Sequence, residues 1–151
     1  MKIVFLDFDG VLNSMADFAF KTTSTLFDAA YIARLNAIVG QSGAKVVISS
    51  SWRVRHSVDE LRTLLHSAGF KGDVIGSTPI FQYDTAQGLC DIGEIRSAEI
   101  KAWMDAHPVP IASFVVLDDL ELSPLAAHQV LTDMIEGLRD HHIEQALAIL
   151  G

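Results

Sequence analysis

Asp7 and Asp9 stand two residues apart where an apolar run, Ile3-Val4-Phe5-Leu6, gives out, and Gly10 follows them. In an extended chain residues two apart point the same way, so a strand through this run lets the two carboxylates converge. Carboxylates held together repel each other unless a cation or a shared proton intervenes, which makes the pair a candidate for metal binding or phosphoryl transfer. Gly10 permits the sharp turn that such an exit needs. Asp and Gly are also ordinary turn formers, so the pair alone is read equally well as a solvated loop start.

The same grammar recurs. Lys45-Val46-Val47-Ile48 ends in Ser49-Ser50-Ser51-Trp52-Arg53, and Ser113-Phe114-Val115-Val116-Leu117 runs straight into Asp118-Asp119. Adjacent acids at a strand end with no basic neighbour are costly without a cation, which favours a metal there over a plain loop start. In Trp52-Arg53-Val54-Arg55-His56 a Trp beside two Arg can stack a base or hold extra phosphates; it can equally pack under a loop whose Arg residues are solvated. Phe81 and Tyr83 either line a pocket or anchor a long loop. His141-His142 suit a helix start better than a metal site, and Cys90 is a small apolar side chain or an exposed thiol.

The elements that must position these residues follow from periodicity. Phe27, Tyr31, Ile32, Leu35, Ile38 and Val39 recur at helical spacing and predict a helix over 26–39, with Asp28 near its start and Gly40 ending it. Ser57 and Glu60 have capping-box spacing and open a helix whose stripe is Leu61, Leu64, Leu65 and Ala68. A short strand is expected at 73–76 and a helix at 97–106 that buries Ile100, Trp103 and Met104 and stops at His107-Pro108. A weaker strand at 129–131 and a last helix from Asp140 complete the chain. Residues 13–25 read as a loop or flap anchored by Phe18 and Phe20, and 77–93 as a connection long enough to be functional. Continuous apolar strands alternating with amphipathic helices predict an α/β fold, a parallel sheet of about five strands with helices on both faces. Ligands in such folds sit beyond the carboxyl ends of the strands, and there the polar residues collect.

With 151 residues, half of them hydrophobic, the expectation is one domain spanning 1–151 with a substantial core. Acidic residues outnumber basic ones by 19 to 11, a net charge of −8, which disfavours bulk nucleic-acid binding but not a local basic site. One Cys and no Cys/His cluster of zinc-ligand spacing argue against a disulfide or structural zinc. The apolar run after Met1-Lys2 is too short for a signal-peptide core and no other run approaches a membrane span, so a cytoplasmic protein without membrane partners is expected.

Taken together, these residues resemble the haloacid dehalogenase-like (HAD) phosphohydrolases over nearly the whole chain. Asp7-Phe8-Asp9-Gly10-Val11 is similar to the first motif of that family and Val46-Val47-Ile48-Ser49 to the second; Arg96, with Lys101 as an alternative, fits the third, and Asp118-Asp119 the fourth. The resemblance implies a three-layer Rossmann-like domain and an Mg²⁺-dependent phosphatase. Asp7 would be the nucleophile that forms an aspartyl-phosphate, and Asp9 the general acid and base. Mg²⁺ would be held by the Asp7 carboxylate, the Asp9 carbonyl and Asp119, supported by Asp118. Ser49, or Ser50 one register on, would bind a phosphate oxygen, and Arg96 would neutralise the transferring group and help hold Asp7 ionised. Ser50, Trp52, Arg53 and Lys101 are the candidates for substrate contact. The gaps between motifs are too short for a large cap domain, which implies an open site for a phosphorylated substrate, a nucleotide or nucleic-acid end among the candidates. The Ser-Ser-Trp-Arg loop, the Asp-Asp strand end and the stretch from Thr132-Asp133 to Gly137-Leu138 resemble HAD domains associated with RNA-repair proteins. Receiver domains combine similar groups but phosphorylate an Asp after their third strand, where this chain has Gly76-Ser77. A degenerate domain kept for binding is the remaining alternative.

Overall fold

The structure, a computed structural model, describes residues 1–16 and 26–151; Phe18, Phe20 and most of the expected flap lie outside the described residues. Strands β1 (Lys2–Leu6), β2 (Lys45–Ile48), β3 (Val74–Ser77), β4 (Ser113–Asp118) and β5 (Gln129–Leu131) form one all-parallel sheet in the order β3-β2-β1-β4-β5. Helices α1 (Ala29–Ser42), α2 (Val58–Ser67), α3 (Ile92–Ala106) and α4 (Asp140–Leu150) flank it. The α/β expectation holds.

The chain steps outward from β1 through β2 to β3, then crosses back to β4 on the other side of β1. That reversal opens a crevice at the carboxyl ends of β1 and β4. It also sorts the helices. Val4, Leu6, Val46, Ile48 and Leu117 face a core built with Leu35 and Ile38 of α1, Leu61 and Leu65 of α2, and Ala146 and Leu150 of α4. Ile3, Phe5, Val47 and Val116 face a smaller cluster with Ile100 of α3, against which Trp103 and Met104 pack. With both faces covered, the strands carry no polar alternation until their ends.

Register then places the polar residues in one row. Leu6 pairs with Ile48 on one side and Leu117 on the other. The ladder continues one residue further, with Ser49 N donating to Leu6 O at 2.9 Å and Asp7 N to Leu117 O at 3.0 Å. Because Leu6, Ile48 and Leu117 face the larger core, the next residues, Asp7, Ser49 and Asp118, turn to the α3 face.

Three helix boundaries differ from expectation for local reasons. α1 starts at Ala29, because the Asp28 side chain caps it by accepting from Ala30 N at 2.7 Å. It runs through Gly40, since an interior glycine costs only about 1 kcal/mol; Gly43, at φ 71°, takes the left-handed turn that ends it. α3 begins at Ile92 rather than Ser97. Asp91 and Glu94 form a capping box, Asp91 Oδ1 accepting from Glu94 N at 2.8 Å, so Arg96 lies inside the helix rather than in its first turn. At α4, His142 Nδ1 accepts from Arg139 N at 2.9 Å, the capping role expected of that His pair.

Between β3 and α3, residues 78–91 hold a 3-10 turn, Thr85–Gln87, and the bridge pair Asp84 and Leu89, with no cap domain. Among the described residues no helix is long and apolar enough to cross a membrane.

Candidate active site

Asp7 is 5% exposed and Asp118 fully buried. Between them lies Arg96, whose Nη1 donates to both Asp118 oxygens at 3.0 and 2.8 Å and to Asp7 Oδ2 at 3.2 Å. The other Asp7 oxygen accepts from Phe8 N at 2.9 Å, and Asp118 Oδ1 also accepts from Leu120 N at 2.9 Å. Asp119 completes a trio: Asp7, Asp118 and Asp119 each offer an oxygen within 4.8 Å of the others.

The electrostatics of the trio are unbalanced. Burial pushes the Asp7 carboxyl up to about 7, with Asp118 adding to it and Arg96 only partly opposing it. Arg96 therefore works in the direction expected of it, but burial and Asp118 outweigh it. Asp119 is also raised, by burial first and Asp118 second. Burial opposes the Arg96 charge, yet Asp7 and Asp118 together hold it more firmly protonated than usual. Three carboxylates share one guanidinium, and the excess negative charge on hard oxygen donors fits a divalent cation of the Mg²⁺ class.

Gly10 makes the close approach possible. At φ 78° it adopts a conformation side chains avoid, and a Cβ there would sit 2.5 Å from Asp119 Cγ. Thr132 Oγ1 fixes this turn by donating to Gly10 O at 2.7 Å.

A family model for the HAD domain in Swiss Army Knife RNA repair proteins matches residues 3–143. The chain belongs to this family. No curated protein and no solved structure matches it. In this HAD domain the remaining candidates separate cleanly by what their atoms touch.

Ser49 Oγ is fully buried and has no hydrogen-bond partner among the described residues, whereas Ser50 Oγ is occupied, accepting from Trp52 N at 3.3 Å to cap the 3-10 turn Ser51–Val54. The register therefore gives Ser49 the free hydroxyl beside Asp7. Lys101 is exposed, and five residues on a helix rotate it roughly 140° from Arg96, away from the strand ends. Arg53 is not free to meet substrate. Its guanidinium donates to Thr78 O and Pro79 O at 3.2 Å, to Ser49 O at 3.2 Å and Ser50 O at 2.8 Å, and it pairs with Glu99. Glu99 in turn accepts from Phe81 N at 2.8 Å, so Arg53 and Glu99 tie the strand ends to the 78–91 loop.

The expected convergence of the Asp7 and Asp9 carboxylates is corrected by the structure. β1 ends at Leu6, the chain turns at Gly10, and the alternation rule does not extend to Asp9. Its carboxylate accepts instead from Asn13 Nδ2 and Trp52 Nε1, both at 2.9 Å. Trp52 is thus a partner of Asp9; its ring packs edge-on to Phe8, centroids 5.5 Å apart, and against Phe27 at 5.6 Å. Asn13, Glu99 and the buried hydroxyl of Thr78, unpartnered among the described residues, escaped the sequence reading, and Thr132 was noted only as part of a resembling stretch, without its bond to Gly10 O. Only Glu99 left a trace, a charge on the same helical stripe as Ile95, Arg96 and Ile100.

Two outcomes follow from this arrangement. Glu99→Ala strands the buried Arg53 charge and is expected to cost about 3–5 kcal/mol; urea denaturation checks it, and a loss under about 1 kcal/mol would show that Arg53 escapes to water. For Asp7 the fold retains the proton more tightly than an unfolded chain with pKa near 3.8, so metal-free stability is greatest below that value and declines as pH rises towards 7. Asp7→Asn removes the Asp7 part of the decline, Asp119 keeping its own, and raises the metal-free Tm at pH 8 by about 2–8 °C, on the order of 1–2 kcal/mol. Thermal melts at pH 5 and pH 8 test this, and a variant no more stable than its parent at pH 8 contradicts it.

Proposed function

We propose that the protein is an Mg²⁺-dependent phosphatase that hydrolyses a phosphate monoester through an aspartyl-phosphate on Asp7. The observation that carries this reading is the buried Asp7 carboxylate, held by Arg96 within the acidic trio and flanked in register by the unpartnered Ser49 hydroxyl.

In the first half-reaction an Asp7 oxygen attacks phosphorus, the bond from phosphorus to the substrate oxygen breaks, and Asp9 passes its proton to that leaving oxygen. In the second, water attacks the same phosphorus and gives a proton to Asp9, and inorganic phosphate leaves with Asp7 restored. Ser49 donates to a phosphate oxygen, and Arg96 balances charge on the transferring group and on Asp7. The Asp7 and Asp119 carboxylates and the Asp9 carbonyl would hold Mg²⁺, with Asp118 anchoring Arg96 beside them. When bound, the ion neutralises the phosphate and the acidic trio, which favours the ionised Asp7 that attack requires.

The family to which the chain belongs is described by its place in RNA repair proteins, and that description favours a phosphorylated nucleic-acid end as substrate. The absence of a cap between β3 and α3 suits a bulky substrate of this kind. The net charge of −8 confines any such contact to the strand ends rather than to the whole surface. A receiver-type phospho-acceptor is disfavoured, because receivers order their sheet 2-1-3-4-5 whereas here β1 lies between β2 and β4.

Purified protein should hydrolyse a generic aryl phosphate with Mg²⁺ and not with EDTA. Asp7→Asn should lose roughly 10⁴-fold or more, since nothing replaces the nucleophile; activity equal to the parent would refute the reading. Ser49→Ala should lose roughly 10²–10³-fold in kcat, as for removal of one oxyanion donor, while Ser50→Ala should lose far less. A panel of phosphorylated RNA ends, nucleotides and sugar phosphates decides the substrate class, and preference for sugar phosphates would remove the repair assignment.

A further inference from the structure

Asp9 is an exposed side chain on a turn, yet its carboxylate is held at both oxygens. The two donors are themselves fixed. Asn13 is buried and its Oδ1 accepts from Gly10 N at 3.1 Å. The Trp52 ring is wedged against Phe8 and Phe27, and its backbone N–H is held by the Ser50 cap. Two rigid donors on two different oxygens define the plane of the carboxyl group, and each oxygen keeps a second lone pair for a proton. Asp9 and Trp52 also share a cleft of about 770 Å³ with Val54, Arg55, His56 and Leu64. A general acid must lie within about 2.6–3.2 Å of the oxygen it protonates. The cleft therefore offers the group bearing that oxygen a route to Asp9.

We infer that Trp52 is a positioning residue: its indole N–H orients the Asp9 carboxyl towards the cleft, and the leaving group of the substrate occupies that cleft. The inference rests on the phosphatase reading above, because only a departing alkoxide needs the proton. The distinctive consequence is dependence on the leaving group. An alkyl phosphate expels a strongly basic oxygen and needs a well-placed acid, whereas 4-nitrophenyl phosphate expels a weakly basic one and needs little help. Trp52→Phe keeps the ring and removes the donor. It should lower kcat for an alkyl phosphate by ~10-fold or more with KM little changed, and kcat for 4-nitrophenyl phosphate by less than about 3-fold, a fraction of what general-acid catalysis supplies.

Equal losses on both substrates, or none on either, would overturn the inference while leaving the phosphatase reading intact. A second measurement does not depend on turnover. The chain has two Trp residues, so its ¹H–¹⁵N spectrum carries two indole signals, and Trp52→Phe assigns them. Asp9→Asn should shift the Trp52 signal and leave that of Trp103 in place; an unmoved Trp52 signal means the bond is not made in solution and defeats the inference. An indole shift in a protein with no turnover on any phosphate would defeat the phosphatase reading, and the catalytic role of Trp52 with it.

Discussion

Three carboxylates crowd one guanidinium at the crevice between β1 and β4, and most of what surrounds them exists to make that crowding tolerable. A buried acid is ordinarily neutralised by a partner or by a proton. Here Arg96 satisfies Asp118 through both oxygens and reaches Asp7 only at 3.2 Å, leaving Asp7 with a pKa near 7 and Asp119 with no ion-pair partner among the described residues. The fold thus stores an electrostatic debt at one point, where a divalent ion can cancel it. The tight turn at Gly10, the Thr132 bond to its carbonyl and the capping of Asp118 by Leu120 N all keep the acids from spreading apart.

Topology explains why the debt accumulates there. Adjacent parallel strands in register present paired residues to the same face, so one step beyond Leu6, Ile48 and Leu117 brings an acid, a hydroxyl and an acid into a row on the opposite face. α3 is the helix that returns across the reversal, and it presents Arg96 to that row with Glu99 a turn later. Core and site are consecutive rungs of the same ladder: the apolar residues set the spacing that the polar ones use.

How much of this could be read from the sequence depends on how local the cause was. Strand positions, the Ser57 capping box and the identity of Asp7, Asp118 and Asp119 as strand-end acids were legible because apolar runs and their ends are written in consecutive residues. Arg96 was singled out beside a helix expected at 97–106 and lies a turn inside it, since Asp91 and Glu94 form a cap that the apolar stripe alone does not reveal. The choice of Ser49 over Ser50 was open because it turns on which hydroxyl is already in use, a fact set by the Trp52 N–H. Arg53 looked like a substrate contact because an arginine's partners here are four backbone carbonyls and a glutamate 46 residues away, none of which periodicity can forecast. The apparent pairing of Asp7 with Asp9 failed at the point where the strand stops.

The turn from Ser50 to Val54 carries a constraint of its own. A 3-10 helix advances about 120° per residue, so Ser50 and Arg53 fall on one side and Trp52 is turned a third of a revolution from them. That angular offset lets one short loop reach Glu99 and the carbonyls of Thr78 and Pro79 with Arg53 while its neighbour Trp52 reaches Asp9. Inserting or deleting a single residue would rotate every one of these contacts onto the wrong target. The phase of this turn therefore fixes its length, whereas the exposed Arg55 and His56 lie beyond it and can be exchanged without rephasing Arg53 or Trp52.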